Sequence, residues 1–323
     1  MKEIGGYLEL EWQKNKQLHP GAIALDCGRS CLSYLTEIRG IRRVLLPDFL
    51  CDSVGILYKS MGISVRSFEV NDFFLPHGET YVEEDEWMLL VDYYGSLTSE
   101  SVDFWSALSN GRLIVDETQG YYRKAWKGVD TFWNCRKWFG VPDGALLMTR
   151  DGERLDREVF RAKSADWMRH VLGRAEGRAA DFLADARNNE RRLTGVPARL
   201  ISTVSDALLS GIDHELVIKR RVENWHVIDA ELASWNLLST SEPEVPFMYP
   251  FLVADSTGMR EELATKGIYI PTLWPNVVDD RSAGDVARCY ANNILPLPLD
   301  QRYSAEDMQI MCRAVRETVQ KGR

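Results

Sequence analysis

Short apolar runs recur through the first third of the chain: "AIALD" at 22–26, "RRVLLP" at 42–47, "ISVRSFEV" at 63–70, "WMLLVDYYG" at 87–95 and "RLIVDE" at 112–117. Most lack the alternation of a strand with one wet face, and they stop at Gly, Pro or acidic residues. They therefore read as strands buried on both faces. Between them, "SCLSYLTEIRG" places Cys31, Leu32, Leu35 and Ile38 on one helical face and stops at Gly40. "SESVDFWSALSNG" reads as a helix that starts on a serine cap and stops at Gly111. This rhythm predicts an α/β fold, a large and mostly parallel sheet flanked by helices.

From Asp151 to about Trp235 the strand pattern gives way to charged helical segments, "ERLDREVFRAKSADWMRHVL" and "HELVIKRRVENWHVIDAELASW". From Pro246 the chain returns to strand-like "YPFLVA", a helix "GMREELATKG", a strand "IYIP", then "NILPLPL" and a final helix from Ser304. At 323 residues the chain exceeds the usual single core. The expected division is a large α/β domain over 1–235, helical from about 151, and a small C-terminal α+β domain over 236–323.

A net charge of -9, with basic residues interleaved among acids, argues against a nucleic-acid binder. The six cysteines form no CxxC pair and read as reduced core thiols; with five scattered histidines, no zinc spacing appears. The N-terminal "MKEIGGYLELEWQKNKQLHPG" lacks the apolar stretch of a signal peptide, and no run is long enough to span a membrane. A cytoplasmic protein is expected.

In open parallel sheets ligands collect beyond the carboxyl ends of strands. After "AIALD" comes "CGRSCL", where Gly28 permits close backbone approach and the Ser30 hydroxyl adds a donor at a helix N-terminus. That suits a phosphate, or simply a capped helix start. After "RLIV" comes "DETQG", with Asp116 at the strand end and Gln119 beyond it. The acid can cap a helix or hold a cationic ring nitrogen. Lys137 follows in "WNCRKWFGVPDGALL", among apolar residues that suggest burial, after enough chain for "TFWN" to run back as another strand. A snorkelling surface lysine is the ordinary reading. An anion-binding turn, a strand-end carboxylate and a semi-buried lysine are together what pyridoxal 5'-phosphate requires, with the lysine as its Schiff-base partner.

The chain resembles the DegT/DnrJ/StrS family of PLP-dependent sugar aminotransferases, of fold type I. "CGRSCL", "DETQ" and "RKWFGVPDGAL" stand in the order of that family's phosphate turn, ring-holding Asp-x-x-Gln, and lysine followed by an acidic-glycine turn. "VLLPDFLCDSV", "YYG" and "NILPLPLDQRYSAEDM" extend the likeness over nearly the whole length. The resemblance implies an aminotransferase acting on an amino-acid donor and a keto sugar or other small carbonyl compound. Lys137 would be catalytic, Asp116 would lie on the pyridinium nitrogen and Gln119 near the phenolic oxygen. Gly28, Arg29, Ser30 and Asn134 would lie about the phosphate, and a homodimer would form. The pattern departs from the family where Cys51 takes the place of the stacking aromatic, with Phe49 two residues earlier, and where Asp143-Gly144-Ala145 replaces Glu-Gly-Gly. A lyase, racemase or decarboxylase with the same cofactor, and a non-catalytic protein of the same fold, are the rival expectations.

Overall fold

The computed structural model describes residues 6–8, 10, 18–239 and 241–321. Most of the N-terminal segment read above lies outside the described residues.

Seven strands form the main sheet: β1 (Ile23–Leu25), β2 (Arg43–Pro47), β3 (Ser64–Phe68), β4 (Glu86–Val91), β5 (Leu113–Asp116), β6 (Asp130–Trp133) and β7 (Ala145–Met148). They stand in the order β1-β7-β6-β5-β4-β2-β3. The pairs β2–β3, β2–β4, β4–β5 and β5–β6 are parallel, whereas β6–β7 and β1–β7 are antiparallel. Two successive antiparallel pairings turn β1 back to the direction of β6, so only β7 opposes the rest. The carboxyl ends of six strands therefore open on one edge. Each of the five apolar runs matches one strand and "TFWN" matches β6, although β4 and β6 each start one residue earlier than read. β4 and β5 are buried along their full length, as continuous apolar character requires.

The flanking helices begin with α1 (Gly28–Arg39), α2 (Asp52–Ser60) and α3 (Ser99–Leu108). α1 ends at Gly40, whose left-handed φ of 62° closes the helix: the Gly40 N–H bonds the Glu37 carbonyl and the Ile41 N–H bonds the Thr36 carbonyl. α3 corrects the expected serine start: Thr98 is the cap, its hydroxyl accepting the Ser101 N–H. That helix stops at Leu108, and Asn110 and Gly111, both at positive φ, make the turn.

The middle section carries α4 (Arg169–Glu176), α5 (Leu183–Arg192), α6 (Thr203–Ser210) and α7 (His214–Leu232). The expected helix over 153–172 is not formed before residue 165. Tertiary bonds win there: Arg157 donates to the Glu37 carboxylate at 2.6 and 2.5 Å, and Ala162 N–H pairs with the Leu200 carbonyl. α7 forms as read. The last section has α8 (Met259–Thr265), α9 (Pro275–Val278), α10 (Asp285–Asn293), α11 (Ala305–Lys321) and an antiparallel pair, β8 (Tyr249–Leu252) with β9 (Ile294–Leu297). "IYIP" is not a strand. One core fills the main sheet and its helices; another gathers Trp225, Ile228 and Leu232 of α7 with β8, β9, α8 and α11. The cysteines are all unpaired. Cys27, Cys31, Cys135 and Cys312 are buried, but Cys289 is exposed and Cys51 half-buried, so those two are not core thiols.

Candidate active site

The chain beyond the ends of β2, β4, β5 and β6 surrounds a cavity of about 670 Å³. Register sets one wall. Val91 on β4 pairs with Asp116 on β5, and Asp116 pairs with Phe132 on β6, so three cavity residues stand side by side across three strands.

Asp116 is the last residue of β5 and is buried. Its Oδ1 accepts the Thr118 N–H at 2.8 Å. Desolvation pushes its pKa up to about 6, against the Thr118 hydrogen bonds, with the Asp92 charge adding to the rise and the Lys137 charge opposing it. A carboxylate held in so little water is costly to ionise unless a cation meets it. Gln119 is buried on the same cavity and its Oε1 accepts the Tyr94 N–H at 2.8 Å. A backbone donor fixes the amide's oxygen end, leaving its NH₂ as the remaining donor. Tyr94 reaches this position at a left-handed φ of 56°, a strained conformation held by the surrounding turn.

Lys137 closes a single 3-10 turn, Cys135–Lys137, directly after β6. It lines the cavity with Asp116 but is exposed, so the expectation of a semi-buried lysine is corrected: Trp138 and Phe139, the next two residues, take the buried positions.

At the first turn of α1, Cys27, Gly28 and Arg29 line the cavity. Ser30 and Cys31 N–H both bond the Cys27 carbonyl, and among the described residues the Gly28 and Arg29 N–H groups have no backbone partner. A methyl group on Gly28 would lie 3.4 Å from Phe132 Cε2 and 3.7 Å from Asn134 Nδ2, so Gly28 holds open a cradle between α1 and the end of β6. Asn134 lines it, and its buried Oδ1 has no partner among the described residues. Ser30 corrects the expected set. It does not reach the cavity; its hydroxyl donates to the buried Asp26 carboxylate at 2.5 Å. Asp143, of the acidic-glycine turn, also lies outside the cavity and accepts the Ser202 N–H at 2.9 Å and hydroxyl at 2.7 Å.

Cys51 lines the cavity as expected from its place before α2, and its Sγ lies 3.1 Å from the Ser53 hydroxyl. Phe49 does not reach the cavity. It is fully buried against Tyr93, Phe74 and Trp274.

Trp274, Glu190 and Arg136 line the cavity without having been assigned to it from the sequence. Trp274 arrives from the C-terminal section, fixed edge-on to Phe49 at 4.4 Å and Tyr93 at 5.4 Å. Glu190 on α5 bridges the guanidinium groups of Arg29, at 2.6 Å, and Arg136. Burial raises its pKa, but Arg136 and Arg29 outweigh this and hold it below the usual carboxylate range. The buried Nε of Arg136 has no partner among the described residues. Only Arg136 left a signal, as the other half of the basic pair with Lys137.

The residues therefore fit the expected cofactor at each end. A buried acid faces the same space as a lysine, and a helix N-terminus, a glycine cradle and two arginines stand about the place for an anion.

The chain has the fold of the DegT/DnrJ/EryC1/StrS sugar aminotransferases, fold type I. It is similar to the sugar aminotransferase CalS13 from Micromonospora echinospora, at 15% identity and a TM-score of 0.63, over 93% of this chain and 88% of that one. DesV of S. venezuelae, solved in complex with a ketimine intermediate, matches at 16% identity and 0.63, over 92% and 84%. The PLP form of the putative sugar aminotransferase Spr1654 from Streptococcus pneumoniae matches at 12% and 0.63, over 93% and 87%. No family model and no curated protein matches the sequence.

Proposed function

We propose that this protein is a PLP-dependent aminotransferase that moves an amino group from an amino-acid donor to a keto sugar or another small carbonyl compound. The observation that carries the reading is that Asp116, Lys137 and the Gly28 cradle line one cavity. The likeness in fold to sugar aminotransferases supports it.

In this reading Gly28, Arg29 and Asn134 hold the cofactor's phosphate, joined by Arg136. Asp116 lies against the ring nitrogen, and its ionised form is favoured once a cation replaces the missing solvent. Gln119 offers its NH₂ to the ring's phenolic oxygen, and Cys51 and Trp274 bound the remaining space. When bound, the cofactor supplies an aldehyde that captures the amino group and a ring that accepts electrons from the substrate's α-carbon. Lys137, which lines the same cavity, removes the α-proton and returns it as general acid. The resemblance to the family adds a homodimer to the expectation.

The test is direct. Protein incubated with PLP and reduced with borohydride should carry the cofactor's mass on the peptide containing Lys137, and glutamate, glutamine or alanine should release a stoichiometric keto acid from stoichiometric enzyme. Label on Lys124 or Lys127 instead would sink the assignment.

A further inference from the structure

Asp92 and Glu117 are fully buried acids for which the chemistry above has no use. Strand register puts them together. Val91 pairs with Asp116 across β4 and β5, and one residue on, the Asp92 N–H bonds the Asp116 carbonyl at 2.9 Å and the Glu117 N–H bonds the Phe132 carbonyl at 2.8 Å. Side chains alternate along a strand, so while Val91 and Asp116 line the cavity, Asp92 and Glu117 turn to the other face and neither lines it.

Each carboxyl group spends one oxygen on a neighbour. Asp92 Oδ1 accepts the Leu97 N–H at 2.7 Å, and Glu117 Oε1 accepts the Trp126 Nε1–H at 2.5 Å. The other two oxygens, Asp92 Oδ2 and Glu117 Oε2, are buried and receive no hydrogen bond from a third group among the described residues. They converge over Gly120, where a methyl group would collide with Glu117 Oε2 and stand 2.6 Å from Asp92 Oδ2. The two carboxyl groups hydrogen-bond each other there, which two ionised carboxylates cannot do, since both are acceptors only. Charge makes the same demand. The cation facing the pair is Arg123, its Nε 3.5 Å from Asp92 Oδ2 and its other nitrogens on the Leu97 and Gly95 carbonyls, and the next carboxyl group, Asp116, repels Asp92. One guanidinium can offset one buried carboxylate, not two. Burial, with the Asp92 charge adding to it, pushes the Glu117 carboxyl well above the usual carboxylate range. Burial raises Asp92 too, but there Arg123 and the hydrogen bond from Glu117 oppose the rise.

We propose that Glu117 keeps its proton and donates it to the Asp92 carboxylate, and that this buried bond positions Asp116 and Gln119. It joins two turns. Asp92, through Leu97, closes the turn carrying Tyr94, whose N–H holds the Gln119 amide; Glu117 opens the turn that carries Gln119 directly after Asp116. The kinetic consequence rests on the function proposed above, because only there do Asp116 and Gln119 meet a cofactor ring.

The experiment reads the proton first. Difference infrared spectra of the PLP-loaded protein, wild type minus Glu117→Gln, are recorded at pH 8, where an ordinary carboxyl group is fully ionised. The carbonyl stretch of a protonated carboxyl group should appear and should shift in D₂O. In Asp92→Asn an amide donor would face Glu117, which should then ionise and lose the band. Absence of the band in wild type, or its persistence in Asp92→Asn, overturns the proposal. Positioning is read with Glu117→Leu, which keeps the bulk and removes the donor. Exchange of the Thr118 and Tyr94 N–H groups, which bond Asp116 and Gln119, should quicken on the order of tenfold or more, and keto-acid release should slow by a similar factor with the KM for the amino donor little changed. Glu117→Gln offers an NH₂ to Asp92 and an oxygen to Trp126, so it should restore both. A leucine variant equal to wild type, or a glutamine variant as impaired as leucine, overturns the positioning role. The infrared arm decides the proton even if Glu117→Leu fails to fold. If borohydride does not fix PLP to Lys137 yet the band and the exchange rates behave as stated, the cofactor reading fails and the acid pair stands.

Discussion

Replacing Asp116 with Asn separates what this residue costs the fold from what it would do for chemistry. The structure moves the Asp116 pKa from the ordinary 3.8 to about 6, chiefly through desolvation. At about 1.36 kcal/mol per pH unit, keeping this carboxylate ionised costs the folded protein on the order of 3 kcal/mol. For an acid whose folded pKa is raised, the penalty is absent below the unfolded pKa, grows through the window between about 4 and 6, and is complete above it. Asn keeps an oxygen for the Thr118 N–H and carries no charge. D116N without cofactor should therefore be more stable than wild type at pH 8, by up to about 3 kcal/mol, and indistinguishable below about pH 4. Urea unfolding at both pH values measures this. With PLP bound the effect reverses. The ring nitrogen loses its preorganised counter-charge, so release of keto acid from an amino donor should slow by about 100-fold or more, corresponding to roughly 3 kcal/mol. A variant that is sturdier and slower at once cannot be explained by misfolding. Lower stability at pH 8, or wild-type rates with PLP, would refute the placement of Asp116 on the ring.

Gly28→Val should fill the cradle between Phe132 and Asn134 and weaken PLP binding by about tenfold or more in equilibrium dialysis, with little change in melting temperature; unaltered affinity would remove Gly28 from the phosphate site. Gly195→Ala should destabilise the chain by more than about 2 kcal/mol, because a methyl group there would stand 2.5 Å from Arg29 Cβ on a backbone at φ 85°. Denaturant unfolding reads this, and a neutral result would mean the 193–196 loop shifts freely away from α1. Glu190→Gln removes the carboxylate that occupies Arg29 and Arg136. That carboxyl group is about half exposed, so stability should change by no more than about 1 kcal/mol, while affinity for inorganic phosphate should rise several-fold at low salt and converge with wild type at high salt. Weaker phosphate binding would make Glu190 a brace for the two arginines instead of their competitor.

The sheet was legible because strands buried on both faces must be continuously apolar, and β4 and β5 obey that rule along their length. Asp116 was legible because an acid ending such a run has to sit at the sheet edge. Ser30 was not. A hydroxyl on the first turn of α1 can turn to a ligand or back to the strand, and the buried Asp26 carboxylate four residues earlier takes it. The segment over 153–164 was misread for a related reason: its charges mimic a solvated helix, yet they are spent on Glu37 and on the Ile201 carbonyl, which Arg161 reaches at 2.7 Å. Local pattern carries no record of partners that lie far away in the chain.

The aromatic missing at position 51 shows where that limit bears on function. Cys51 leaves that side of the cavity with a small thiol, and Phe49 is committed to the core. Trp274 lines the same cavity from more than two hundred residues away. Its left-handed backbone, at φ 58°, is set by Phe49 and Tyr93 on one side and by the first turn of α9 on the other. The docking of this segment is itself fixed by polar contacts to the β2 loop: Asn276 Nδ2 donates to the Leu50 carbonyl at 2.9 Å, and Gly284 N–H to Asp48 Oδ2 at 2.7 Å. An aromatic surface beside the cavity is thus present, but it depends on the C-terminal section lying against the sheet. A change at Asp48 should therefore be felt in the cavity through Trp274, although Asp48 does not line it.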